Sequence, residues 1–377
     1  MILKKALIWF VLVLSGISGL LSCGKKKDLP AAETRSFYMG TTPWPADFTV
    51  NEVDSAYNFI NNHCDIVSHH FDDGIPYEEA FYNRQMPAAL LQDMNTRKTR
   101  TAVGKKIFLS VSALALTRTE KPGYYQNTPV SDSIKNYWRQ LPFNDPKIVT
   151  AYVNYISWLT GQLQPVYINY AVESNASGWD VTQFALYKIF IAQVYQQLKI
   201  KYPSIPLFIS FIVDESNEGF SFAGQLISCT EFMGLSAYPY ITVSSSANGN
   251  TNPQNFPANY FQKFIDLSPL KPLAFAETGY IAEDLIIPSF NLNKQGNTGW
   301  QKDYLELLLK LCKDKKAKLF IWFCHKDYDA GNARLRTLGL YQDLFGLWQD
   351  TGLKNENGNE RPAFNSWINW MNKTKIE

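Results

Sequence analysis

Two glutamates each follow a short apolar run: Glu173 after Val166-Tyr167-Ile168-Asn169-Tyr170-Ala171, and Glu277 after Leu273-Ala274-Phe275-Ala276. Two carboxyl groups flanking one pocket can cleave an acetal. One gives a proton to the leaving oxygen, and the other attacks carbon or activates water. Other apolar runs end in groups suited to the same pocket. These are Trp44 in Thr42-Pro43-Trp44-Pro45, His69-His70 ahead of Asp72, and Asn175 with Trp179 close behind Glu173. Further on come Asp214-Glu215, Tyr238-Pro239-Tyr240, and Trp322 ahead of His325. Flat aromatic faces stack on the C–H faces of sugar rings, so Trp44, Trp179, Tyr240 and above all Trp322 are candidate binding surfaces. His70, Asn175 and Tyr238 are candidate polar contacts. Asp214 and Glu215 rival Glu173 for the acid role or else line the rim.

The chain has 377 residues, 46% of them hydrophobic, which excludes a disordered or low-complexity protein. Lysine and arginine number 36 against 34 acidic residues; loss of residues 1–22 would remove Lys4 and Lys5 and leave 34 of each. That balance argues against a nucleic-acid partner held by phosphate neutralisation. No G-x-G-x-x-G turn or phosphate loop occurs. Asp214 opens a calcium-loop-like stretch, but its twelfth position is Gln225 rather than glutamate. His63, His69, His70 and His325 are scattered, so no metal and no cofactor is expected. Cys64, Cys229, Cys312 and Cys324 lack C-x-x-C spacing and read as buried thiols, with a Cys312–Cys324 disulfide left open.

Eight apolar runs alternate with helical patterns, and most are apolar on both faces, as buried parallel strands are. Between them Asp145-Pro146 reads as an N-cap and first-turn proline, leading to a stripe of Ile148, Tyr152, Tyr155 and Leu159. Asp180 caps a second stripe of Tyr187, Ile191, Val194 and Leu198. Trp300, Tyr304, Leu307 and Leu311 suggest a third. Eight strands joined mostly by helices, with no midway linker, predict a single (β/α)8 barrel over residues 36–372, its site at the C-terminal strand ends.

Four segments resemble retaining (β/α)8 glycoside hydrolases that carry glutamates on strands four and seven, notably the endo-galactanase-like families. Ala274-Phe275-Ala276-Glu277-Thr278-Gly279-Tyr280 resembles their nucleophile segment, and Gly234-Leu235-Ser236-Ala237-Tyr238-Pro239-Tyr240 their sixth strand. Trp322 matches an eighth-strand sugar platform, and the stretch from Phe345 to Trp367 resembles their closing segment. The resemblance implies hydrolysis of a poly- or oligosaccharide with Glu277 as ionised nucleophile and Glu173 as general acid with a raised pKa. It also implies that Tyr238 supports Glu277. Val172 stands where these enzymes carry an asparagine, which keeps open a non-catalytic glycan-binding protein built on the same barrel.

Lys4 and Lys5 precede a broken apolar stretch, Ala6–Leu21, too short for a membrane span and fitting an export signal over residues 1–22. Leu20-Leu21-Ser22-Cys23 resembles the lipobox of bacterial lipoproteins. That implies cleavage before Cys23, diacylglycerol and palmitate-type acylation there, and a tether over residues 23–35. The expected product is a monomer anchored in the cell envelope by lipid. Gly24 after Cys23 favours the outer membrane in a cell with two.

Overall fold

The computed structural model describes residues 33–243 and 249–376. The expected signal segment, Cys23 and almost all of the expected tether lie outside the described residues. The eight strands are β1 (Tyr38–Thr41), β2 (Ile66–Phe71), β3 (Lys106–Val111), β4 (Tyr167–Ala171), β5 (Leu207–Ile212), β6 (Met233–Ala237), β7 (Leu273–Thr278) and β8 (Leu319–Trp322). They pair in parallel and in chain order, and β8 closes on β1, so the sheet is a closed barrel. Around it lie α1 (Val50–His63), α2 (Ala88–Arg100), α3 (Pro146–Leu163), α4 (Val181–Lys201), α5 (Asn217–Leu226), α6 (Thr298–Asp314), α7 (Asp329–Thr337) and α8 (Pro362–Met371). The fold is a single (β/α)8 barrel.

Local sequence explains the best-defined helices. Asp145 accepts from the Lys147 amide at 2.8 Å ahead of Pro146, and Asp180 accepts from the Gln183 amide at 2.9 Å. The stripes expected on α3 and α4 are buried. On α6 the expected stripe is out of phase. Leu307 is exposed, and the buried side is Gln301, Tyr304, Leu305, Leu308, Leu309 and Cys312. Three consecutive leucines, Leu307–Leu309, give the helix two apolar faces, and the one with Leu305 and Leu308 turns inward. The four described cysteines are free and buried. No helix among the described residues is long and apolar enough to cross a membrane.

The barrel lumen is layered. At the bottom Phe108 and Phe208 stack at 5.6 Å among Ile66, Ala274, Ala276, Leu319 and Ile321. Gly234 makes room for that layer, since a Cβ there would meet the Phe208 ring at 2.7 Å. Above it Asn169 donates to Ser210 Oγ at 2.9 Å. The compact unit begins at Thr34, earlier than the expected boundary. Thr34–Arg35 pairs with Thr374–Lys375, and buried Arg35 holds Asp65 at 2.6 Å. Residues 34 and 35 are therefore domain rather than tether.

Candidate active site

Both glutamates reach the C-terminal mouth of the barrel past a β-bulge. Tyr170 is the extra residue on β4 opposite β5, and Ala276 is the extra residue on β7 opposite β6. A bulge breaks strict alternation and re-aims the next side chains. Glu173 then takes a left-handed backbone, φ 52°, held where its amide donates to Ser210 Oγ at 3.1 Å.

Glu277 Oε1 accepts from the Tyr238 hydroxyl at 2.5 Å, and its Oε2 lies 4.0 Å from His70 Nδ1. His70 Nε2 is 3.4 Å from Asp72. Glu173 is gripped on both oxygens: Arg118 Nε donates to Oε2 and Ser236 Oγ to Oε1, each at 2.6 Å. Arg118 reaches in from the loop after β3 with its own backbone left-handed, φ 59°. Side-chain exposures of 15% for Glu173 and 17% for Glu277 leave this cluster a narrow opening to solvent.

The charges distribute protons unevenly. Burial pushes Glu173 up, but the Arg118 charge and the hydrogen bonds from Ser236 and Arg118 outweigh it, so Glu173 lies below the ordinary glutamate value. Burial and the charge of Glu173 raise Glu277 despite His70 and Tyr238. Burial lowers His70, yet Asp72 and Glu277 bring it above its ordinary value. Asp72 is itself held down to about 2, its burial overcome by His70. In the free site Glu173 thus lies below its ordinary value, where a raised one was expected, and Glu277 lies above its own. Arg118 is the main cause of the lowering at Glu173, whereas burial raises Glu277.

Several expected contacts sit elsewhere. Trp322 is fully buried, its indole N–H donating to the Thr351 carbonyl at 2.9 Å and its ring facing Tyr304. The residue after it, Phe323, turns toward Tyr238 and Trp348 instead. Trp179 stacks on Tyr187 at 5.0 Å inside the helical layer. Tyr240 is buried and donates to the Leu347 carbonyl at 2.9 Å. Asn175 spends its amide on Ile212 and Gly219 backbone groups. None of these four presents a free face to a ligand. Trp44 keeps 37% of its surface exposed in the loop after β1. Asp214 accepts from the Ser216 amide at 3.1 Å beside α5.

The residues that sequence reasoning missed are Arg118, Ser236, Phe323 and Trp348. Trp348 packs 5.9 Å from both Tyr238 and Phe323, which makes it the tryptophan of the glutamate cluster. In the segments after β7 and β8, carboxylate oxygens of Glu283, Asp327 and Asp350 gather within 4.8 Å, as do those of Asp327, Asp329 and Glu356. Arg361 already supplies a cation there, 2.7 Å from Asp327 and 2.6 Å from Glu283.

No protein-family model and no curated protein sequence matches the chain. Solved structures do. The exo-beta-1,4-mannosidase Op5Man5 from Opitutaceae bacterium strain TAV5 superposes with a TM-score of 0.58 at 15% identity, covering 90% of this chain. The chain spans 61% of that enzyme's length. GH5_18 from Streptomyces cattleya, in complex with GlcNAc, gives 0.56 at 13% identity over 91% of this chain and 82% of its own. Xylanase 10B from Thermotoga maritima gives 0.55 at 11% over 89% and 94%. The chain shares its fold with glycoside hydrolases. Identities this low speak for the fold alone.

Proposed function

We propose that this protein is a glycoside hydrolase that cleaves O-glycosidic bonds in a poly- or oligosaccharide with retention of configuration. The observation that carries the reading is the pairing of Glu173 and Glu277 at the ends of β4 and β7, within one enclosed cluster at the barrel mouth. Glu277 is the nucleophile, aligned by the Tyr238 hydroxyl. As it attacks the anomeric carbon, the bond to the leaving oxygen breaks. Glu173 gives that oxygen a proton and then takes one from water as the glycosyl-enzyme is hydrolysed. Phe323 and Trp348 offer the aromatic surface first sought at Trp322. The envelope anchor through a lipid on Cys23 belongs to the same proposal.

One observation favours a second reading, a surface glycan-binding lipoprotein without turnover. Glu173 is ion-paired with Arg118, and an acid in that state has no proton to give. Reducing-sugar release from a panel of polysaccharides separates the two. Release by the native protein and none by Glu277→Gln supports hydrolysis, while binding without release supports the second reading.

A further inference from the structure

We propose that Arg118 recognises an anionic group on the ligand, and that the glycan bound here carries a carboxylate. The inference rests on the glycosidase reading and names its substrate class. Arg118 Nε is bound to Glu173, and Nη1 donates to Ser112 Oγ at 3.2 Å and to the Ala115 carbonyl at 3.5 Å, whereas Nη2 makes no hydrogen bond among the described residues. The side chain keeps 15% of its surface, so this unused edge of the guanidinium is not sealed into the core. His70, the other cation of the cluster, is already set between Asp72 and Glu277, and these two carboxylates face Arg118 as well as Glu173 does.

The unused N–H donors of Nη2 suit a carboxylate oxygen, which accepts a charge-assisted bond from a guanidinium. The same event resolves the difficulty at Glu173. That carboxyl is faced by Arg118 from the loop after β3, by Ser236 from β6, by His70 from β2 and by Glu277 from β7. A ligand carboxylate on Arg118 draws the guanidinium from Glu173 and brings a second negative charge beside it. Both effects favour a proton on Glu173. An acidic sugar thereby readies the acid that cleaves it, while a neutral sugar leaves Glu173 ion-paired.

The test uses phenyl thioglycosides, which resist hydrolysis. Phenyl thio-β-D-glucuronide and thio-β-D-galacturonide are titrated calorimetrically against their neutral counterparts and against a sulfated thiogalactoside. The native protein should bind a thiouronide at least about tenfold more tightly than its neutral partner, as one charge-assisted contact provides. Binding at about pH 5 to 6, above the ordinary glutamate range, should take up a proton, read by repeating the titration in buffers of different ionisation enthalpy. Arg118→Gln should erase the preference and the uptake, and Arg118→Lys should keep part of the preference. Tighter binding of the sulfated sugar would assign a sulfate ester as the anion. Equal or tighter binding of the neutral sugars, or binding of none of the acidic probes, overturns the inference. The oxygen glycosides are assayed for cleavage in parallel. Preferred binding of uronides without cleavage sinks the hydrolase reading alone, and cleavage of neutral glycosides without acidic preference sinks this inference alone.

Discussion

Arg118 and Glu173 form a largely buried ion pair, Nε to Oε2 at 2.6 Å, and both residues hold left-handed backbone angles. Such conformations cost ~1–3 kcal/mol each in non-glycine residues and persist only where the surroundings impose them. The pair is thus built into the mouth of the barrel, where Arg118 also faces Asp72 and Glu277.

Removing the cation should show in stability. Glu173 lies below its ordinary pKa, so its pairing stabilises the fold above the ordinary glutamate range and is lost as pH falls through the folded value. Arg118→Met should destabilise the protein by ~3 kcal/mol near neutral pH, because an unpaired carboxylate is left behind. The gap to the native protein should shrink on acidification, since a protonated Glu173 needs no partner. Urea denaturation near neutrality and at about pH 3 checks both statements. A gap independent of pH would show that the pair is not what Arg118 contributes.

Tyr238→Phe tests the support of Glu277. The 2.5 Å hydrogen bond favours the ionised carboxylate, so its loss raises the Glu277 pKa further. In the proposed mechanism Glu277 acts ionised, so activity should appear as pH rises through that pKa. The acid limb of the kcat/KM profile should therefore move to higher pH, with a drop of about 10- to 100-fold at its plateau. An unmoved limb would detach Tyr238 from the reaction.

Trp322→Ala should act on folding. A fully buried tryptophan with a satisfied N–H costs ~3–5 kcal/mol when truncated, read as a lower denaturation midpoint. Trp348→Ala should instead weaken glycan binding with a smaller loss of stability. Weaker binding at unchanged stability in Trp322→Ala would return that residue to the site.

The barrel was legible because runs apolar on both faces have few other homes, and strand-end glutamates stand out after such runs. What was lost is phase. An all-apolar strand does not say which face looks inward, and it is Phe323 rather than Trp322 that turns to the glutamate cluster. Bulges at Tyr170 and Ala276 shift the direction of the glutamates in a way that alternation cannot foresee. Arg118 lies in an unpatterned loop 55 residues before its partner, and nothing local marks it as the residue that fixes the Glu173 charge. Asn175, Trp179 and Tyr240 have the right types near the right strand ends. Their polar atoms or ring faces are taken up by neighbouring backbone and helices.

Mass spectrometry of the native N-terminus should find a diacylglyceryl-modified Cys23, following Leu20-Leu21-Ser22 after the apolar stretch. A chain beginning at Met1, or an unmodified Cys23, would remove the anchor from the account.

The pairing of Glu277 as nucleophile with Glu173 as acid is tested most directly by azide rescue. Glu173→Ala removes the proton donor but leaves the attack by Glu277, so an activated aryl glycoside still forms the glycosyl-enzyme. Azide should then accelerate its breakdown and yield a glycosyl azide of retained configuration, identified by proton magnetic resonance. An azide of inverted configuration, or a Glu173→Ala protein as active as the native one on unactivated glycan, would contradict it.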